Sequence, residues 1–211
     1  MLALLLPMLL LLLPAGAAAW DPTEATVAST HAALAAGRTT CTAVVQASLA
    51  RIERLDPQLN AMVEVFATAA RARAQALDAQ LAALQSQGAP MPALFCIPVI
   101  VKDNYNVAGH ATSGGVQALR GSQANVTAVA VARMEAAGAI LLGKANMPDF
   151  ALDGLNTNSS RAGQTLNPYN PAHTPYGSSG GPAVAAAASY AIICLGLRTN
   201  ERTKEKEKKK K

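Results

Sequence analysis

Leu94-Phe95-Cys96-Ile97-Pro98-Val99-Ile100-Val101, followed at once by Lys102-Asp103-Asn104, is the stretch on which the fold turns. Eight consecutive apolar residues leave no side for water. Such a run reads as a strand buried on both faces, as in a sheet with helices on either side. The charged residues stop it abruptly and leave Lys102 as the last residue of a buried strand.

Working outward, apolar residues recur at helical spacing on both sides. Asp21-Pro22-Thr23-Glu24 has the form of a helix start, with a cap, a proline at the first position and an acid three residues after the cap. That helix is predicted to run to about Ala36 and stop at Gly37. Thr40 is predicted to open a second helix, with Val44, Val45, Leu49, Ile52 and Leu55 on one face and Pro57 as its end. A strand is predicted over Asn60–Phe66, and an alanine-rich helix from about Thr68 to Gln87 with Leu77, Leu81 and Leu84 inward. Beyond the central strand, 108–115 reads as a glycine-rich loop. A helix is predicted over Ala128–Ala137, and a second short buried strand over Ala139–Leu142, ending in Gly143-Lys144. Asn156–Gly181 reads as loop, and Ala183–Cys194 as helix that passes into strand. Helices alternating with apolar strands indicate an α/β fold.

Composition agrees with a packed domain. Of 211 residues, 51 % are hydrophobic and 4 % aromatic, and alanine supplies much of the apolar fraction. The net charge of +5 belongs to the end of the chain, because residues 198–211 hold eight Lys/Arg against three Asp/Glu. The rest is neutral, so the basic balance says nothing of the domain. The 197–211 tail reads as solvated and disordered. Cys41, Cys96 and Cys194 fit no metal-ligand spacing and sit among apolar residues, which favours buried thiols, at least one of them free.

Two motifs that suggest chemistry fail on context. Gly138-x-x-x-x-Gly143-Lys144 has the spacing of a phosphate loop, but Ala145 replaces the metal-binding hydroxyl and the apolar strand lies inside the motif. Lys144 instead reads as closing a strand at the edge of a cleft. Gly177-x-Ser179-x-Gly181 has the spacing of a nucleophile elbow. That elbow needs a strand before it and a histidine after it. Here Asn170-Pro171-Ala172-His173-Thr174-Pro175 precedes it, and none of His31, His110 and His173 follows Ser179. The three histidines share no metal-site spacing and read as surface or loop residues; no metal or cofactor is expected. What remains is Lys102 and the paired hydroxyls of Gly177-Ser178-Ser179-Gly180-Gly181. A buried lysine can serve as a base because burial disfavours its charged form. On spacing alone, an ion pair of Lys102 with Asp103 or another acid is the simpler reading.

Three segments in order carry a resemblance. Ile97-Pro98-Val99-Ile100-Val101-Lys102-Asp103-Asn104, Gly143-Lys144-Ala145-Asn146-Met147-Pro148-Asp149-Phe150, and Gly163-x-x-x-Asn167-Pro168 with Gly177-Ser178-Ser179-Gly180-Gly181 are similar to the amidase signature family. The resemblance spans about Asp21 to Gly196. It implies a mixed central sheet covered by helices, present here as the N-terminal part of a longer domain, and hydrolysis of small carboxylic amides by a Ser–cis-Ser–Lys triad. It implies that Lys102 is the general base and Ser178 the bridging serine after a cis peptide bond. Ser179, Gly177 and Gly180 would steady the loop and bind substrate. The family's nucleophile follows about two dozen residues later in Gly-Thr-Asp-x-Gly-Gly-Ser. This chain reads Leu195-Gly196-Leu197-Arg198-Thr199-Asn200-Glu201-Arg202 there and has no serine after Ser189. The expectation is a truncated family member that lacks the nucleophile and the oxyanion-hole glycines and is inactive as written. Two alternatives stand beside it. One is a non-catalytic product that binds amides or a partner. The other is a relative of the A chain of glutamyl-tRNA amidotransferase.

The N-terminus bears on that last alternative. Residues 2–13 are almost wholly apolar, and Ala17-Ala18-Ala19 offers a cleavage site before Trp20, so 1–19 reads as a signal peptide and 20–196 as the domain. The run is short and broken by Pro7, so no membrane span is expected after cleavage. Asn125-Val126-Thr127 and Asn158-Ser159-Ser160 are glycosylation sequons if the chain enters that pathway. Secretion argues against a transfer RNA substrate, and no nucleic acid partner is expected.

Overall fold

The computed structural model describes residues 20–197. The signal peptide expected over 1–19, and all of the tail except Leu197, lie outside the described residues. In chain order the elements are α1 (Val27–Ala35), α2 (Cys41–Leu59), β1 (Met62–Val65), α3 (Ala67–Gln87), β2 (Pro98–Lys102), α4 (Val129–Ala136), β3 (Ile140–Ala145), β4 (Asn158–Ser159), β5 (Gly163–Gln164), α5 (Gly180–Ala187) and β6 (Ile193–Leu195).

The predicted buried strand forms over the second half of its run as β2, with Leu94–Cys96 in a turn before it, and β2 lies inside a four-stranded sheet of order β1-β3-β2-β6. It runs parallel to β3 and to β6, while β1 is antiparallel to β3, so the sheet is mixed. All five residues of β2 and all six of β3 are buried. Side chains alternate between faces along a strand. Ile100, Ile140 and Leu142 meet a layer built from α1, α2, α3 and α5, with Leu34, Leu49, Leu77 and Val184 in contact. Val99, Val101 and Leu141 meet Val131 of α4 together with Phe66 and Val107. Helices thus cover both faces, as the continuous apolar run required.

Local sequence chemistry accounts for most boundaries and for two corrections. The first helix begins at Val27, not near Pro22. Thr26 caps it, and Thr26 and Ser29 satisfy each other's backbone N–H groups, which outcompetes the Asp21-Pro22 signal. Pro57 lies inside α2 and does not end it; the helix ends at Asn60, which takes a left-handed conformation. The Asp56 carboxylate accepts from the N–H of Ala61 at 2.8 Å and ties that end to β1. Asp78 of α3 does the same at the start of α2, accepting from Cys41 N at 2.6 Å and Thr42 N at 3.0 Å. Cys41 and Cys96 are joined as a disulfide, with Cα atoms 5.1 Å apart, so two of the three cysteines are not thiols. Cys194 is free, and burial pushes its thiol up to about 12. The long 156–181 loop holds a two-stranded hairpin, β4 against β5.

Candidate active site

The parallel pairing of β2 with β3 sets two lysines side by side and aims them apart. Val101 pairs with Lys144, and Lys102 with Ala145. Register neighbours share a face and successive residues do not. Lys102 therefore points toward the α5 side and Lys144 toward the opposite side. Both are wholly buried.

Lys102 meets the serine loop. Its Nζ lies 2.7 Å from Ser178 Oγ and 3.0 Å from Ser179 Oγ. Asp103 is not its partner, contrary to the ion pair suggested by spacing. Asp103 lies in the turn just after β2 and faces the other side of the sheet, toward Lys144. Without a carboxylate against it, burial lowers the Lys102 ammonium from its usual 10.5 to about 8. A useful fraction is then the neutral amine near neutral pH, able to take a proton from a hydroxyl at 2.7 Å.

Lys144 is the opposite case. Its Nζ stands 3.5 Å from Asp103 Oδ1 and donates to Tyr105 O at 2.6 Å and Thr112 Oγ1 at 3.3 Å. It is buried behind the sheet and does not stand at a cleft edge. Asp103 is the hub here. It accepts from Ser113 Oγ and from Gly115 N, the latter at 3.1 Å, and Arg161 approaches Oδ1 at 3.6 Å. Arg161 also lies 3.8 Å from Glu64, which bonds His110 Nδ1 at 2.9 Å. His110 is thus half-buried, tied to Glu64 and stacked on Phe66 at 3.7 Å between centroids, rather than a simple surface residue.

The serine loop is shaped by contacts that tolerate no side chain. The Gly177–Ser178 peptide bond is cis. A Cβ on Gly177 would overlap the carbonyls of Asp153 and Asn156, one on Gly180 would overlap Thr157, and one on Gly181 would overlap Asn146. These glycines let the backbone close on its neighbours. Thr157, buried and absent from the sequence-based site, stitches both ends of the loop: Oγ1 donates to Tyr176 O at 2.7 Å and accepts from Gly180 N at 3.1 Å. Asn146 supports the same region, donating to Thr165 Oγ1 and Gly163 O at 3.0 Å. The only trace of Thr157 in the sequence is a polar residue at the start of the long loop, a weak signal. Ser179 Oγ donates to Leu197 O at 2.7 Å and accepts from Leu197 N at 3.0 Å, which pins the end of β6 over the pair.

Ser178 is 2 % exposed, so it is placed as an internal link and not as a displayed nucleophile. An open groove of about 490 Å³ beside the loop is lined by Pro148, Asp149, Leu152, Asp153 and the 158–160 segment, and reaches neither Lys102 nor Ser178. The sequon residues Asn125 and Asn158 are both exposed. Among the described residues, no three His, Cys, Asp or Glu side chains cluster in a way that could hold a metal ion. No helix among them is long and apolar enough to cross a membrane.

The chain is thus a mixed α/β sheet that carries a buried lysine against paired serines after a cis bond. The sequence profile of the Amidase family matches residues 43–199, and the chain belongs to that family. It is 39 % identical over 176 residues to the A chain of glutamyl-tRNA(Gln) amidotransferase from Halorhodospira halophila, covering 83 % of this chain and 35 % of that one. The corresponding protein of Deinococcus deserti is 41 % identical over 167 residues, covering 79 % and 33 %. Among solved structures, the native peptide amidase of Stenotrophomonas maltophilia superposes with a TM-score of 0.71 at 39 % identity, over 80 % of this chain and 35 % of that one. A bacterial aryl acylamidase superposes with a TM-score of 0.72 at 29 % identity, over 79 % of this chain and 34 % of that one. The chain spans about a third of the length of these relatives.

Proposed function

We propose that Lys102 and Ser178 form the base-and-relay half of an amide-hydrolysing site. The observation that carries this is the 2.7 Å contact of a carboxylate-free, wholly buried Lys102 with Ser178. In the proposed step, neutral Lys102 takes the Ser178 proton as Ser178 takes one from a nucleophilic hydroxyl. That oxygen attacks the amide carbonyl, the protonated lysine returns a proton to the leaving amine, and water cleaves the acyl-enzyme. The family resemblance puts the nucleophile in a Gly-Thr-Asp-x-Gly-Gly-Ser segment, where this sequence carries Arg202 instead. The proposal for this sequence is therefore the base and its relay, with the attacking hydroxyl left unassigned. Ser179 and the flanking glycines hold the loop in place.

The test has two parts. In the full chain, the Lys102 Cε carbon signal should titrate with a midpoint near 8. A midpoint at the ordinary lysine value in the folded protein would overturn the reading. Any amine released from an aryl amide should be lost in Lys102→Ala and in Ser178→Ala, and release that survives both would contradict the reading equally.

A second reading is favoured by the relatives named for the A chain of glutamyl-tRNA(Gln) amidotransferase. Under it, the site belongs to one component of an assembly that works on charged transfer RNA, and a nucleic acid partner stays open. Against it, the apolar leader with Ala17-Ala18-Ala19, the exposed Asn125 and Asn158, and the Cys41–Cys96 disulfide together support a chain made for an oxidising, secretory route. N-terminal sequencing of the exported protein should begin at Trp20. Salt-dependent transfer RNA binding by an unprocessed chain would favour the second reading.

A further inference from the structure

The groups behind the sheet balance. On the face away from the serines, Asp103 and Glu64 are matched by Lys144 and Arg161, with spacings of 3.5, 3.6 and 3.8 Å. The Asp103 and Lys144 side chains are fully buried, and that of Arg161 is 12 % exposed. Asp103 is the residue next to Lys102, and Lys144 pairs in register with Val101, directly before it. A charge left over in this cluster would act on Lys102 through one layer of backbone in a poorly screened interior.

We infer that Lys144 and Arg161 are positioning residues for the proposed base: by neutralising Asp103 behind the sheet, they leave Lys102 free to lose its proton to solvent or a relay. The inference rests on the reading of Lys102 as base, and it assigns a task to the lysine of the Gly143-Lys144 motif, which the relay itself does not use. The geometry leaves few competitors. On its own face, the polar partners of Lys102 among the described residues are the hydroxyls of Ser178 and Ser179. Elsewhere on that side, Asp56 faces Tyr190 and Arg51 near the end of α2, and Cys194 sits on β6 with its thiol held protonated by burial. Also behind the sheet, His110 is bonded to Glu64, and Tyr105 packs against the Val99 and Val101 cluster.

The consequence has a definite sign. Removing Lys144 leaves Asp103 with Ser113, the Gly115 N–H and Arg161, and the Asp103, Glu64 and Arg161 cluster then carries one excess negative charge behind the sheet from Lys102. That charge favours the ammonium. The Lys102 midpoint in Lys144→Met should rise by about one unit, a roughly tenfold loss of free amine at about pH 8. Asp103→Asn combined with Lys144→Met should bring it back to the parent value, because acid and base leave together. Arg161→Met, at the cluster's edge, should move it the same way by less.

The readout is Cε carbon titration of Lys102 in the full chain, with the signal assigned by its loss in Lys102→Ala. If the parent midpoint is near 8 and stays there in both Lys144→Met and Arg161→Met, the inference is wrong while the base reading stands. A parent midpoint at the ordinary lysine value removes the base reading itself. Should Lys144→Met not fold, Arg161→Met and the double variant decide between the same two outcomes.

Discussion

Lys102 and Lys144 are one residue type on adjacent strands, equally buried, yet they do different things. Lys144 is held by Asp103, a backbone carbonyl and a threonine hydroxyl. Lys102 has two serine hydroxyls and, among the described residues, no acid. Burial lowers the pKa of both, but at Lys144 the Asp103 charge pulls the other way, and at Lys102 nothing does. The difference teaches that burial alone does not make a base. A neutral amine is favoured where no counter-charge faces it among the described residues, and the end of β2 arranges this because Lys102 and the acid after it lie on opposite sides of the sheet.

The largest expected effect comes from breaking the paired side. Asp103→Asn strands Lys144 and Arg161 without their shared acid and should cost about 3–5 kcal/mol of stability, read as a lowered urea midpoint. Lys102→Met, on the unpaired side, should cost far less or even stabilise, because it removes a buried amine that no acid compensates. Equal losses from the two would erase the contrast.

Next is pH. With a folded value near 8 against 10.5 unfolded, the unfolded chain binds more protons between those values, so stability should rise with pH across that window. Charging the buried amine costs on the order of 3 kcal/mol, felt in full below about pH 8 and relieved above about pH 10.5. The difference between the parent and Lys102→Met in urea unfolding, taken at about pH 7 and about pH 10, isolates it from Lys144, which contributes with the same sign. A difference that does not change with pH would show Lys102 to be an ordinary lysine.

Smaller effects probe the loop that faces Lys102. Thr157→Val removes the hydroxyl that joins Tyr176 O and Gly180 N and should cost about 1–3 kcal/mol in thermal or urea unfolding. It should also raise hydrogen exchange at Gly180. Ser179→Ala leaves the Leu197 N–H without its acceptor and should cost about 1 kcal/mol. That substitution should leave the Lys102–Ser178 contact intact, so the Lys102 titration should barely move.

Much of this was legible in the residues. The apolar run before Lys102 reads as a strand buried on both faces; its second half is that strand, β2, while Leu94–Cys96 form a turn that leads into it. Helical spacing of Val45, Leu49 and Ile52 placed α2. The three signature segments placed the family, which the profile match over 43–199 shows. Errors came where two local signals competed. Asp21-Pro22 and Thr26-Ser29 both offer a helix start, and only the second closes a reciprocal pair of hydrogen bonds. Pro57 reads as a stop, yet α2 continues to Leu59, and Asp56 anchors its end to β1. The disulfide was not legible, because 55 residues separate Cys41 from Cys96 and only packing of α2 beside β2 brings them together.

By itself the sequence determined that the run before Lys102 is buried and that Lys102 ends its strand, because hydrophobic periodicity and chain punctuation act over a few residues. Spacing alone left an ion pair of Lys102 with Asp103 open. Only the tertiary structure decided where the Asp103 charge goes. Its partners Lys144 and Arg161 arrive from β3 and from the turn between β4 and β5, and a register between strands is set by packing across the sheet and not by any run of adjacent residues.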